Sequence, residues 1–410
     1  MDKAIDSTVN SPTLQQIFLR YGEAHRQAHK LPYESHKVMN AIEACRTEKL
    51  GYHLITCENC GCDYEQKAYN SCRDRHCPQC QSYQSAKWVI DREAELLPVP
   101  YFHVTFTIPH ELNPLVLWNK EVMYNILFES AWQSLNDLVK DQRYFGGQAG
   151  AIAVLHTWGQ SLIDHHHVHM IVPGGAFIKH PEQWIQKELS RDKNGKKKKA
   201  FLVHVAPLKI LYKTKFLTRL AKEYKKHHLK LSGSLQHLQE PGNFYGLKDS
   251  LFKKEWNINI KKPFAGPEEV LKYLGRYTHR VAISNSRIMD IEDGNITFMM
   301  KDYRNEGKKI PCHLDAQTFI TRFLRHVVPK GFRRIRMFGF LANRFKIRNL
   351  EAIRKYLNMM PAKIEKVVKS VHEIIQQFFG VNILKCPKCG MDTLKLKHVP
   401  GNYSYAKGYG

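Results

Sequence analysis

The stretch L162-IDHHHVHMIVPG-G175 holds four histidines in five positions, followed by an apolar run and a Pro-Gly-Gly stop. The chain contains 22 histidines, so clustering alone decides nothing. The alternation does. His167 and His169 flank Val168, and successive side chains on a strand point to opposite faces. A strand over 167–172 therefore turns both imidazoles one way and Val168 into a core. Two same-face imidazoles on a rigid strand make half of a divalent metal site; the alternative is a surface histidine patch. His165 and His166 precede the strand and are less constrained.

Working outward, "YFHVTFTIP" (101–109) alternates and is rich in β-branched and aromatic residues, which predicts a strand. "AIAVLHTW" (151–158) predicts another. Residues 114–143 read as helical, and Gly146, Gly147 and Gly150 break the chain after them. Residues 12–50 also read as helical, with Ser11 as cap and Pro12 at the first helical position. "QSAKWVIDREAELLP" predicts a helix stopped by Pro98. The run "SRDKNGKKKKA" (190–200) is a charged loop, and 207 to about 240 is helical and basic. "GPEEVLKYLGRYTHR" (266–280) opens on Pro267 with acids in its first turn and ends on cations, as a helix does. A hairpin is expected around Asp293–Gly294. No internal repeat is present.

The charge bounds the partner. With 63 Lys+Arg against 38 Asp+Glu, the net charge is +25 over 410 residues. A surplus of that size suits a polyanion, most often nucleic acid. No run of 18 apolar residues and no basic-then-apolar leader occurs, so we expect a soluble, intracellular protein of two or three domains with no membrane span.

Seven of the ten cysteines lie between Cys45 and Cys80. Cys57 and Cys60 form one Cys-x2-Cys pair, and Cys77 and Cys80 form a second after sixteen residues. Two such knuckles supply the four thiolates of a structural zinc tetrahedron. Cys62, Cys72, His53 and His76 lie nearby and read as bystanders or substitutes. Cys386 and Cys389 form a late knuckle with no second pair beside it; His398 is a candidate third ligand.

In "KYLGRYTHR", Tyr273 and Tyr277 are four apart and share a helix face. Such pairs are usually core, yet Gly275, Arg276, His279 and Arg280 crowd the same helix and favour a phosphate. Residues 316–350 hold nine Lys/Arg and no acid, interleaved with Phe319, Phe323, Phe332, Phe338, Phe340 and Phe345. That mixture suits single-strand binding, or equally a basic helix with a buried aromatic face. Arg333, Arg334 and Arg336 are the candidate DNA contacts there.

The His-hydrophobic-His pair, the Tyr-x3-Tyr helix and the N-terminal cysteine module together resemble a two-tyrosine HUH rolling-circle transposase of the insertion-sequence 91 type. "YNSCRDRHCPQCQ", "FHVTFTIP", "VLHTWGQ", "YLGRYTHRVAISN" and "GFRRIRMFGFLAN" extend the resemblance over residues 12 to about 345. It implies an α+β fold: an HUH endonuclease core, an antiparallel sheet flanked by helices, after an N-terminal helical zinc-binding module. The expected division is 1–97 zinc-binding DNA-recognition domain, 98–345 catalytic domain with a basic loop and helical insertion near 180–262, and 346–410 a C-terminal helical tail with a Cys-x2-Cys knuckle.

The resemblance also implies chemistry. His167 and His169, with His156 favoured over Gln160 and His165 as third ligand, would bind Mg²⁺ or Mn²⁺. One tyrosine would attack single-stranded DNA at transposon ends or target, leaving a 5′-phosphotyrosine and a free 3′-OH. The second tyrosine would serve the matching cleavage, with Arg276 and Arg280 near the phosphate. No nucleotide cofactor is expected, and no G-x4-G-K-[ST] loop occurs. A bacterial cytoplasmic, nucleoid-associated location follows. The rivals are a plasmid replication initiator or relaxase with the same chemistry, a non-catalytic zinc DNA-binding regulator, and a metallohydrolase acting on phosphate esters.

Overall fold

The computed structural model describes residues 11–186, 201–261, 264, 269–270, 273, 275, 281–303, 305–361, 363–364 and 369–401. Its strands are β1 (Gly51–Cys57), β2 (Glu65–Tyr69), β3 (Tyr101–Thr107), β4 (Gly150–Trp158), β5 (Asp164–Pro173), β6 (Ala176–Lys179), β7 (Glu182–Ile185), β8 (Ile258–Lys261), β9 (Ile288–Glu292), β10 (Asn295–Asp302), β11 (Lys308–Asp315), β12 (Ile335–Gly339) and β13 (Leu394–Pro400). Among the described residues, no helix is long and apolar enough to cross a membrane.

The central sheet has the order β12-β4-β5-β3-β8, and every neighbouring pair is antiparallel. Period-two alternation sorts its residues onto two faces. Val104 and Phe106 of β3, Ala151, Ala153 and Leu155 of β4, and Val168, Met170 and Val172 of β5 are buried together on one face. Full burial of each larger side chain contributes about 1.5–3 kcal/mol, so the strand register cannot slip without exposing the whole set.

Two long helices cover that face. Lys120–Lys140 buries Met123, Leu127, Phe128, Ala131 and Leu135. Val205–Lys225 buries Leu208, Tyr212, Phe216 and Leu220, a stripe at fourfold spacing under a lysine-rich outer surface. The stretch expected as a basic insertion thus supplies a helix of the core layer. Its lysines lie on the outward side and mask the apolar stripe.

The N-terminal helices Leu14–Ala28 and Tyr33–Ala44 share a core with the late segment 282–327. Phe18 meets Phe323 edge-on at 5.5 Å. Phe323 belongs to the helix Ala316–Arg325, which buries Phe319, Ile320 and Leu324 with it. The first helix starts two residues later than Ser11–Pro12 suggested. Thr13 is its cap, because Thr13 and Gln16 satisfy each other's backbone N–H in a capping box.

The hairpin forms as expected. Glu292 pairs with Asn295 across Asp293 and Gly294, which both take positive φ (45° and 76°), as a twist-matched two-residue turn requires. The charged loop 190–200 lies outside the described residues. So does most of the expected helix 266–280, of which Glu269, Val270, Tyr273 and Gly275 are helical.

Candidate active site and metal centres

The second face of the central sheet carries the histidines. β5 runs from Asp164 to Pro173, longer than the 167–172 core read from the pattern. His167 stands opposite His156 of β4, and His169 lies between Val154 of β4 and Thr105 of β3. The coordinating atoms of His156, His167 and His169 all fall within 4.8 Å of one another. His156 is stacked on Trp158, ring centres 5.0 Å apart.

Hydrogen bonds select the tautomers. His167 donates Nδ1–H to the carbonyl of His165 at 2.7 Å, which leaves Nε2 with its lone pair. That Nε2 is 3.0 Å from Nε2 of His169. Burial, followed by the charges of His156 and His167, holds His169 far below the usual histidine range, so it stays neutral. Neutral imidazoles with converging Nε2 atoms are the donor set a divalent ion takes.

His103 of β3 belongs to the same site and was not singled out from the sequence. It is 3% exposed, and its Nε2 lies 2.7 Å from His169 Nδ1 and 2.7 Å from the Tyr273 hydroxyl. With the His103 proton on Nδ1, which has no hydrogen-bond partner among the described residues, the one lone pair of Nε2 is shared between the two contacts. Burial and Lys261 push His103 down to about 4. The signal was present in "FHVTFTIP": His103, Thr105 and Thr107 are polar members of the strand's second face, and Thr105 pairs with His169.

Tyr273 is therefore drawn against the histidines, its ring 4.7 Å from that of His103 and 5.1 Å from Phe264. Its helix is held from behind. Ser85 Oγ donates to the Gly275 carbonyl at 2.5 Å, and a Cβ at Gly275 would come within 3.1 Å of Val89. The glycine between the tyrosines thus permits close approach of the helix Gln81–Glu93. Tyr277, Arg276 and Arg280 lie outside the described residues.

The cysteines group differently from their spacing. The structure does not bring Cys57 and Cys60 to Cys77 and Cys80. One cluster is Cys45, Cys72, Cys77 and Cys80; another is Cys57, Cys62, Cys386 and Cys389; Cys60 is exposed and in neither. The physical reason is the strand β1, which carries Cys57 away from the knuckle at the start of the helix Gln81–Glu93. Cys45, at the end of the helix Tyr33–Ala44, takes the vacant corner.

In the first cluster Cys45–Cys80, Cys72–Cys80 and Cys45–Cys77 sulfurs stand 3.4, 3.5 and 3.7 Å apart. Four sulfurs about 2.3 Å from a tetrahedral Zn²⁺ stand about 3.8 Å apart, so the cluster fits zinc with small adjustment. Contacts with the other three thiols push Cys80 far down and Cys72 far up, the mark of sulfurs that cannot all ionise without a cation among them. His76 is occupied by Asp74 at 2.9 Å, and the His398 ring lies tilted against that of His53 at 5.1 Å rather than joining the late knuckle.

The three arginines of the late basic segment diverge. Arg333 is exposed. Arg334 packs beside Arg75 and Asp74, where burial and then Arg75 push it down to about 10. Arg336 faces the helix-covered side of the sheet, bonded to Asn125 at 2.6 Å and lying over the rings of Phe128 and Phe332. Phe319, Phe323, Phe332 and Phe340 are buried, so base stacking is not their role; Phe345 is exposed.

A family model described as "Putative transposase" matches residues 150–349, and one described as a transposase zinc-binding domain matches residues 17–108. "Putative transposase y4qJ" of Sinorhizobium fredii (strain NBRC 101917 / NGR234) is 43% identical over 383 residues, covering 93% of each chain. The transposase for insertion sequence element IS801 of Pseudomonas savastanoi pv. phaseolicola is 28% identical over 354 residues, 85% of this chain and 80% of its own. No solved structure matches. With strands β4, β5 and β12 inside one match and the buried four-cysteine cluster inside the other, the chain belongs to the insertion-sequence 91 type of transposase, with an N-terminal zinc-binding domain.

Proposed function

We propose that this transposase cuts and rejoins single-stranded DNA at the ends of its element through a 5′-phosphotyrosine, on a central sheet that serves as an HUH core. The contact that carries the reading is Tyr273: its hydroxyl is 2.7 Å from His103, which is 2.7 Å from His169. A nucleophile and a candidate metal site share one face of one sheet. Residues 98–345 form the catalytic unit in this reading, and 1–97 the DNA-recognition module.

His156, His167 and His169 would hold Mg²⁺ or Mn²⁺. When bound, such an ion supplies Lewis-acid polarisation of the scissile phosphate. The chain's own residues do the rest. His103 holds the Tyr273 hydroxyl by its lone pair and orients it toward the phosphate. The phenolic oxygen attacks phosphorus while its proton passes to Nε2 of His103, and the bond from phosphorus to the 3′ oxygen breaks. That oxygen takes up a proton as a free 3′-OH. In the reverse direction a 3′-OH attacks the phosphotyrosine, the new phosphodiester forms, and the phenol regains its proton. The phosphoester energy is retained, so rejoining needs no nucleotide. Tyr277 would serve the second strand. Arg333, exposed beside β12, is the phosphate contact of the late basic segment, with Arg276 and Arg280 as further candidates.

The test is a covalent-adduct assay with labelled single-stranded oligonucleotides from the DNA flanking the gene, with Mg²⁺ or Mn²⁺, on a denaturing gel. The expected result is a metal-dependent adduct that the double variant Tyr273→Phe, Tyr277→Phe loses while still binding DNA. An adduct that survives in the double variant sinks the tyrosine mechanism. Tight binding with no adduct from the wild type supports the non-catalytic regulator instead.

A further inference from the structure

The zinc-binding domain match ends at residue 108, yet two of its cysteines, Cys57 and Cys62, gather with Cys386 and Cys389 from far beyond it. Cys57 ends β1 and Cys62 follows in a turn, its N–H bonded to the Asn59 carbonyl at 3.0 Å. Cys386 and Cys389 arrive from the far end of the chain on a second turn, closed by Cys386 N–H to Met391 O and Gly390 N–H to Cys386 O, both 2.8 Å. Cys57 and Cys389 sulfurs are 3.6 Å apart, and Cys62 and Cys386 sulfurs 3.8 Å. These are the separations of a zinc tetrahedron, and each pair joins residues more than 320 positions apart in sequence.

The backbone around the cluster has the matching form. β13 pairs antiparallel with β1 over all seven residues, Gly51 with Pro400 through Cys57 with Leu394. Glu58 N–H to Thr393 O carries the ladder one step further toward the sulfurs. Lys388 pairs with Asp63, and Lys395 with Glu58, across the same junction. What is missing is a core. Most of β13 is exposed, including Leu396 at 50%, and β2 on the other side of β1 is exposed nearly throughout. A three-stranded sheet with so little apolar burial is marginal in water, and surface ion pairs contribute little. A metal that binds the joined form and not the separated one supplies the missing free energy.

We propose that Cys57, Cys62, Cys386 and Cys389 are a second structural zinc centre that clamps the C-terminal segment onto the N-terminal module. It is independent of the cleavage chemistry proposed above. The chain then binds two zinc ions at separate sites, and Cys60, for all its Cys-x2-Cys spacing, ligates neither.

The experiment measures zinc per full-length chain by elemental analysis and follows amide exchange over Leu394–Pro400 by mass spectrometry. The wild type is expected to hold about two zinc ions. Cys386→Ser, Cys389→Ser should hold about one, with tail amides exchanging at least about tenfold faster. Cys62→Ser alone should behave in the same way, and it guards against a misfolded double variant. Cys60→Ser should keep about two. A wild-type content near one, a Cys386→Ser, Cys389→Ser protein that keeps its full complement, or a zinc lost by Cys60→Ser overturns the proposal. So does a disulfide among these four cysteines in the zinc-loaded protein, found by alkylation mapping without reductant.

Discussion

The histidine face and the cysteine clusters obtain their geometry in opposite ways. His156, His167 and His169 stand on strands whose other face is a packed core of Leu155, Val168 and Met170 beneath two long helices. Their positions are set by apolar burial before any ion arrives. Cys57 ends the half-buried strand β1, and Cys62, Cys386 and Cys389 stand on turns beside the mostly exposed β2 and β13. Their positions would rest on the zinc proposed among the sulfurs. Cys45, Cys72, Cys77 and Cys80 lie between these cases, buried but drawn from two helix ends and a loop. Metal removal should therefore leave the histidine site folded and loosen the cysteine sites.

The largest effect should come from Cys45→Ser. It removes a ligand from the buried cluster and strands three thiols, and we expect a loss on the order of 5 kcal/mol or more in the unfolding of the N-terminal module. Urea titration followed with zinc release checks this. A loss under about 1 kcal/mol would erase the contrast between the two kinds of site.

His167→Ala should do the reverse, leaving stability within about 1 kcal/mol of wild type while lowering metal-dependent adduct formation by at least about 100-fold. Collapse of the fold in that variant would show that the imidazoles, and not the apolar face, hold the sheet.

His326 separates packing from metal in a third way. It is buried between the Thr157 hydroxyl and the Leu162 carbonyl, and burial pushes it down to about 3. The unfolded chain takes up the proton near pH 6.5 and the folded chain only near 3, so stability is full above about pH 6.5 and falls as the pH drops through that window, by about 1.4 kcal/mol per pH unit. Denaturation of wild type and His326→Gln at pH 7 and pH 5 should show the steeper loss in the wild type; equal slopes refute the assignment. The smallest effect should be that of Ser85→Ala, which frees the Gly275 carbonyl. A lost hydrogen bond of about 1 kcal/mol corresponds to roughly fivefold less adduct, with zinc content unchanged.

Much of the histidine site was legible because strand alternation is a strictly local rule. His167–Val168–His169 states its faces without reference to any other residue, and "AIAVLHTW" places His156 by the same rule. His103 was harder, since only the pairing of β3 with β5 reveals that it meets His169. The cysteines show where local spacing fails. Cys57–Cys60 and Cys77–Cys80 look alike as motifs, but the ligand sets depend on Cys45 and Cys386, which arrive by folding over long separations. The phenylalanines of 316–350 were ambiguous for a related reason: a basic segment with regularly spaced aromatics reads the same whether the rings face DNA or a core, and Phe18 decides it from the other end of the chain.

The pairing of β1 with β13 has a consequence in time. Cys62 and Cys386 are separated by 324 residues, and a ribosome adding roughly 5–20 residues per second needs some fifteen seconds to a minute to cross that interval. Throughout it the nascent chain carries β1 with one edge uncovered and half of a thiol cluster waiting. The module around β1 is therefore completed long after its own residues are made. A chain cut short before residue 386 never closes that edge, so closure of the edge reports that translation has passed the late segment.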